Sequence, residues 1–344
     1  MHKVAIIGAS GFTGAELLRI CATHPELEVV AATGDTQAGN RVADLYPSLA
    51  AAYGDLSYAA YDDELIADAD LVFLGLPHGA SQPVVPGLRG QVKHIVDLAS
   101  DFRLDDPALY PQWYGDEHSA PELLDDFAYG LPELYRAELS GAELVAVPGC
   151  YPTTAVLGLA PLLKAGLIEP SRIIVDAATG LSGAGRPPKP HTTFCAVDED
   201  FSAYGLLNHR HTPEMEMVLR QTAGVDAQLI FTPHLAPMNR GILATCYARP
   251  TGDLTTDDVM ACLHDAYDPE PFMVVSDRSP STKATLGSNT CHMTARVDPR
   301  TGWVMVLAAL DNLVKGASGQ AVQCANLALG LPEETGLAIA GMYP

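Results

Sequence analysis

The stretch Val4-Ala5-Ile6-Ile7-Gly8-Ala9-Ser10-Gly11-Phe12-Thr13-Gly14 decides the fold. A short apolar run stops at a GxxGxxG turn, after which Gly14, Leu17, Leu18 and Cys21 recur at helical spacing. In a strand, glycine turn and helix of this kind the first glycine permits a tight turn and the second lets backbone approach a pyrophosphate. The third lets helix and strand pack closely. Amides at the helix start then face the phosphates. Set between a strand and a helix, the pattern points to nucleotide binding more than to a bare turn.

Working outward, Leu27 to Ala32, Leu71 to Leu76 and Ile95 to Leu98 are further buried-strand candidates. Repeated βαβ units imply a parallel sheet covered on both faces, so a doubly wound Rossmann-type domain is expected over 1–149. After Cys150 the texture changes. A helix is expected over Thr154 to Ala165 and a strand over Arg172 to Ala177, followed by strands at Gln228 to Phe231, Gly241 to Ala248, Cys291 to Val297 and Trp303 to Leu310. The last two are joined by Asp298-Pro299-Arg300-Thr301-Gly302, a hairpin connection. Residues 150–313 therefore read as an α+β domain with a mixed, largely antiparallel sheet. The closing helix, Val314 to Leu329, carries small residues at Ala317, Ala321, Ala325 and Ala328 and stops at Gly330. The segment 314–344 is assigned with the first domain.

The length, 344 residues, suits two domains at about 150 residues each. Hydrophobic residues are 48% and charged residues 18%, which argues against disorder. Lys+Arg at 20 against Asp+Glu at 42 leaves a net charge of −22 with no long acidic run, so nucleic acid and anionic membrane are poor partners. An anionic substrate must then be held by local donors. No apolar run reaches membrane-spanning length, and the N-terminus meets glycine too soon for a signal peptide. Seven cysteines, at 21, 150, 195, 246, 262, 291 and 324, show no short paired spacing. They read as reduced thiols of a cytoplasmic protein, without a zinc-type CxxC.

The second strand ends at Thr33-Gly34, with Asp35 next and Arg41 downstream. Small residues with a nearby arginine tolerate a ribose 2′-phosphate, which favours NADP(H), while Asp35 keeps NAD(H) open. Pro148-Gly149-Cys150-Tyr151-Pro152-Thr153-Thr154 places a thiol at the start of an apolar helix. The positive end of the dipole and open N–H groups favour its thiolate, as a covalent nucleophile requires. In Asn208-His209-Arg210-His211-Thr212-Pro213-Glu214, Thr212 is the expected N-cap and Pro213 the first helical residue. The two histidines sit ahead of that helix, suited to proton exchange near neutral pH. A metal reading of His-x-His lacks a third ligand at telling spacing.

Together with Leu76-Pro77-His78-Gly79, Asp101-Phe102-Arg103-Leu104, Tyr129 to Glu133, Gly180 to Arg186, Phe231 to His234, Arg240-Gly241 and Asp311-Asn312 through Gln320, these motifs run the whole length in order. In them the chain resembles the N-acetyl-gamma-glutamyl-phosphate reductase family of the semialdehyde dehydrogenase superfamily. Ala99-Ser100 departs from the more usual Ser-Ala order before Asp-Phe-Arg, which weakens any role given to Ser100.

The resemblance implies NADPH-dependent reduction of a small-molecule acyl phosphate, N-acetylglutamyl phosphate, to its semialdehyde with release of phosphate. Cys150 would carry a thioester, and His211 would exchange the proton, with His209 as the alternative. Cofactor contacts are expected at Gly8, Ser10, Gly11, Phe12, Thr13, Gly14, Thr33, Pro77, His78, Ser182, Gly183 and Asn312. Arg103, Arg186 and Arg210 are candidates for substrate carboxylate or phosphate because guanidinium forks match those anions; Glu214 joins them as a substrate contact. A homo-oligomer, dimer or tetramer, is expected, with 150–313 as the catalytic and oligomerisation domain. Two alternatives stay open: the same chemistry on the one-carbon-longer aminoadipyl phosphate, and a non-catalytic NADP(H)-binding redox sensor. A short-chain dehydrogenase or epimerase is a poor match, since no tyrosine has lysine four residues on.

Overall fold

The computed structural model describes residues 1–343, which divide into two units. The first comprises Met1–Pro111, Asp116–Pro148 and Ala317–Leu337. Its strands are β1 (His2–Ile7), β2 (Leu27–Ala32), β3 (Leu71–Leu74), β4 (His94–Asp97), β5 (Ala128–Tyr129) and β6 (Leu144–Ala146), with helix α1 (Phe12–Cys21) after β1. They form one sheet in the order β2-β1-β3-β4-β6-β5, with every neighbouring pair parallel. The central strands are buried along their length, which is why they read as continuous apolar runs instead of alternating ones. Two polar residues hide in β4. His94 Nδ1 bonds the Ala142 carbonyl at 2.8 Å, and Asp97 is wholly buried at the strand's carboxyl end.

The second unit comprises Gln112–Gly115, Gly149–Gly316 and residues 338–343. It opens with α2 (Cys150–Lys164), four residues earlier than the apolar pattern predicts. Pro152 does not delay the helix. It stands in the first turn, where its missing N–H is one the helix leaves unpaired anyway, and Thr153 N–H already donates to the Gly149 carbonyl at 3.0 Å. Every residue from Tyr151 to Leu163 is buried, as in a helix covered all round.

Strands β7 (Ile168–Gly180), β8 (Ser202–Ala203), β9 (Leu229–Ala236), β10 (Ile242–Pro250), β11 (Met273–Val275), β12 (Cys291–Val297) and β13 (Val304–Leu310) follow, with helices α3 (Thr212–Ala223) and α4 (Thr256–Tyr267). The sheet order is β11-β12-β13-β10-β7-β9-β8. The pairs β7–β9 and β11–β12 are parallel and the rest antiparallel, so the sheet is mixed and largely antiparallel. The ladder carries β7 beyond its apolar centre at both ends, from Ile168 opposite Pro250 to Thr179 opposite Ile242. Asp298 closes the β12–β13 hairpin, and Gly302 takes the positive φ of +74° that the turn requires. Val175, Ala177, Ala244, Cys246, Val306 and Ala308 are buried on one face, which α2 covers. Their neighbours Ile174, Thr245, Tyr247, Met305 and Leu307 stay half-exposed on the other.

The chain returns to the first unit within a π-helical turn, Val314–Ser318, which runs into α5 (Gly319–Ala328). Ala321, Ala325 and Ala328 are buried, α5 packs on β4 and α1, and Gly330 (φ +72°) ends the helix. The stretch 314–344, expected to lie entirely with the first domain, is divided. Residues 314–316 and 338–343 belong to the second unit, where Asn289 N–H donates to the Ala338 carbonyl at 2.8 Å. Among the described residues no helix is long and apolar enough to cross a membrane.

Candidate active site

The glycine turn of the first unit is shaped by contact. Gly8 has φ +85°, and a side-chain carbon there would stand 2.5 Å from the Gly75 carbonyl oxygen; at Gly14 it would overlap the backbone of Ala9. Gly11 is different. A Cβ there would meet only the Gly8 oxygen, at 3.6 Å, so it would fill the open space in front of α1. No side chain caps α1 and its first turn holds no acid, which leaves the amides of Phe12, Thr13 and Gly14 available to an anion. These features fit a dinucleotide pyrophosphate. Thr33, expected beside the cofactor, is 3% exposed and its hydroxyl accepts the Gly8 N–H at 3.1 Å, so it braces the turn from behind. Tyr46 does the same for Ser10, donating to its carbonyl at 2.9 Å. Arg41 is exposed and paired with Asp44 at 2.7 Å.

Pro77 and His78 follow β3 in the same unit. His78 Nδ1 lies 2.7 Å from the buried Asp101 carboxylate. Arg103 is 8% exposed and donates through Nη2 to the Leu98 carbonyl at 2.7 Å, so it is a largely interior arginine.

Cys150 is the first residue of α2, half-buried, with Gly149 as N-cap. Two glycines make room around it. A Cβ on Gly316 would stand 2.9 Å from Cys150 Cβ, and one on Gly149 would stand 2.5 Å from His211 Nε2. His211 therefore lies directly against the residue that precedes the thiol. His211 is itself the N-cap of α3, one residue before the expected Thr212, because its carbonyl already accepts the Met215 N–H at 3.1 Å. Glu214, wholly buried, accepts the Gly149 N–H at 2.8 Å. It holds the cysteine turn instead of lining an open substrate face.

His209 Nδ1 accepts the His211 N–H at 3.2 Å, and the two rings stand 4.8 Å apart. Burial, helped by the Arg210 charge, pulls His209 down to about 4, so its ring is neutral at physiological pH. Tyr151 packs edge-on against both histidines and Phe231, and its hydroxyl donates to the His234 carbonyl at 3.2 Å. Tyr204 donates to the Tyr151 hydroxyl at 3.2 Å. Burial pushes Tyr204 up to about 12 and Tyr151 higher still, so both act as walls and not as acids. Burial likewise pushes the thiols of Cys21 and Cys246 up to about 12, as packing cysteines require.

Ser182 and Asn312 meet in the second unit, where the Asn312 amide donates to Ser182 Oγ at 2.9 Å while its oxygen accepts the Gly241 N–H at 2.7 Å. Gly183 follows Ser182, close to the Thr179 hydroxyl. Arg186 is half-buried; Arg210 is exposed, 5.9 Å over the Tyr114 ring. The second unit thus gathers Cys150, His209, His211 and Glu214 around one pair of helix starts. The glycine turn, Thr33, Pro77, His78 and Arg103 belong to the first unit. Sequence reasoning missed Tyr151, Tyr204 and Phe231 as walls, because aromatic residues at strand and helix spacing look like any core. It missed Asp101, which opens the motif Asp101-Phe102-Arg103-Leu104.

Family models match both units. "Semialdehyde dehydrogenase, NAD binding domain" covers residues 3–142 and "Semialdehyde dehydrogenase, dimerisation domain" covers 150–312. The chain is 49% identical over 348 residues to the N-acetyl-gamma-glutamyl-phosphate reductase of Citrifermentans bemidjiense, covering 100% of both chains. It is 49% identical over 347 residues, again 100% of both, to the protein of that name from Desulforudis audaxviator. Aspartate semialdehyde dehydrogenase with NADP from Candida albicans matches the fold with a TM-score of 0.70 at 15% identity, over 95% of this chain and 98% of that one. That likeness shows the architecture. Near half identity from end to end shows more, and the chain belongs to the N-acetyl-gamma-glutamyl-phosphate reductase family of semialdehyde dehydrogenases.

Proposed function

We propose that this chain reduces N-acetyl-L-glutamyl 5-phosphate to N-acetyl-L-glutamate 5-semialdehyde with NADPH, releasing phosphate, as a step of arginine biosynthesis in the cytoplasm. The observation that carries the reading is Cys150 at the start of α2 with His211 Nε2 against Gly149. The names of the full-length relatives supply the substrate.

Cys150 Sγ attacks the acyl carbon while His211 takes the thiol proton. The carbon–oxygen bond to phosphate breaks, phosphate leaves with the electron pair, and a thioester stays on the protein. NADPH, when bound through the glycine turn, supplies the hydride that this carbonyl carbon accepts. The thiohemiacetal that results on Cys150 then loses its carbon–sulfur bond, and the aldehyde departs. The N–H groups of the first turn of α2 stabilise the departing thiolate, and His211 returns its proton. His209 supports His211 as the exchanger, since a buried neutral ring that already accepts the His211 amide cannot readily take up a second proton. Arg186 and Arg210 are the second unit's candidates for the substrate's anionic groups. The first unit is the NADP(H)-binding domain; the second is catalytic and forms the oligomer through the half-exposed face of its sheet, as a dimer or tetramer.

The test runs the reaction backwards. NADP+ reduction by N-acetylglutamate semialdehyde should require phosphate. Activity only with the one-carbon-longer aminoadipate semialdehyde would move the protein to the other substrate class, and no activity with either would leave the chemistry unsupported.

A further inference from the structure

Three backbone amides and an imidazole converge on one buried carboxylate in the first unit. Asp101 is completely buried. Its Oδ1 accepts the Gly79 N–H at 2.7 Å and lies 2.7 Å from His78 Nδ1. Its Oδ2 accepts the amides of Ser81 at 2.9 Å and Gln82 at 3.3 Å. Ser100 Oγ stands 2.9 Å from the same His78 nitrogen. The segment held in this way leaves β3, whose neighbour β1 runs into the glycine turn, and Gly75 N–H donates to the Ile7 carbonyl at 2.7 Å. It therefore lies at the carboxyl ends of the parallel strands, where doubly wound sheets take their ligands.

Ser81 and Gln82 enter the core beyond it, but Pro77 and Gly79 are exposed and His78 is only partly buried, so the anchored turn presents the ring at the surface. What it fixes is the ring. A carboxylate at Nδ1 keeps the proton of the neutral imidazole on that nitrogen, which leaves Nε2 as acceptor, or as donor once the ring is charged. Electrostatics agree on which acid does this. Burial alone would raise Asp101, but the bonds from His78 and the Gly79 and Ser81 amides outweigh it and hold the group below the usual carboxylate range. Asp97 lies nearby and is bonded through Oδ1 to Ser81 Oγ and the Ala99 amide, both at 2.9 Å. Burial, despite these bonds, pushes it up to about 7.

We propose that Asp101 is a positioning residue acting through His78, holding the imidazole so that Nε2 contacts the bound dinucleotide. The proposal rests on the reading that the first unit binds NADP(H). Calorimetric titration with NADP+ tests both and separates them. The unsubstituted protein should bind; no binding would overturn the dinucleotide reading and this proposal with it. His78→Gln should bind about tenfold more weakly. Asp101→Asn should cost about tenfold by itself and less than about twofold in the His78→Gln background. Unchanged affinity in His78→Gln, or the same loss from Asp101→Asn in both backgrounds, overturns the proposal, because a merely loosened loop weakens binding equally in each. Nitrogen-15 spectra of the unsubstituted protein, with His78 assigned from the Gln variant, give a check that does not need the Asn variant to fold. The neutral-ring proton should sit on Nδ1, and a proton on Nε2 contradicts the account.

Discussion

Glu214 accepts the Gly149 N–H at 2.8 Å, which ties the first turn of α3 to the N-cap of the helix that begins with Cys150. The carboxylate is completely buried and sits where the α3 dipole favours negative charge. Glu214→Ala leaves the Gly149 amide without this acceptor and should cost roughly 1–3 kcal/mol of stability. It should also lower kcat/KM by about 10–100-fold through misplacement of Cys150. Glu214→Gln, which keeps an acceptor oxygen, should recover most of the stability. Urea unfolding and steady-state kinetics on the two variants check this, and equal losses in both would argue for the charge over the bond.

Gly149 has no side chain because a ring occupies the place. A methyl group there would come within 2.5 Å of His211 Nε2, so Gly149→Ala should swing the imidazole aside. Turnover should fall by roughly 10²-fold with little change in KM for NADPH. A drop in folding stability with normal turnover in the folded fraction would count against this.

The two histidines separate by environment. His211→Asn should slow turnover by about 10²–10⁴-fold, and His209→Asn by much less. His209 also leaves a mark on stability. Its folded-state value is about 4, below the ordinary 6.5, so the unfolded chain binds more protons between those limits. Its contribution is therefore complete above pH 6.5 and is lost as the pH falls toward 4. Between pH 7.5 and 5 the loss should be about 2 kcal/mol. Urea titrations at the two pH values should show this difference shrinking in His209→Asn; an unchanged difference would place the titration elsewhere.

Much of the architecture was legible because burial writes itself into composition. A parallel strand covered on both faces, such as Leu71–Leu74, must be apolar throughout, and a half-covered one, such as Met305 beside Val306, must alternate. Strand ends were less legible. Ile168–Gly180 outruns its apolar centre because the ladders beside it, not its own side chains, hold its ends. The start of α2 precedes its expected Thr154 because Pro152 stands in the first turn, where a missing N–H costs the helix nothing. In the site, the residue types with obvious chemistry were readable: Cys150, the histidines and the glycine turn. What stayed hidden were second roles. Glu214 and Thr33 look like ligand contacts in sequence, and in the structure they accept the backbone amides of Gly149 and Gly8.

The sulfur of Cys150 as a temporary acyl carrier is the claim everything else serves. The direct measurement incubates the protein with N-acetylglutamyl phosphate in the absence of NADPH and maps peptide masses after acid quench. An N-acetylglutamyl adduct is expected on the peptide bearing Cys150, discharged when NADPH is added. No adduct is expected in Cys150→Ser, whose turnover should fall at least about a thousandfold while NADP+ affinity stays the same. An active protein that never carries the adduct, or a Cys150→Ser variant that turns over normally, would contradict that claim.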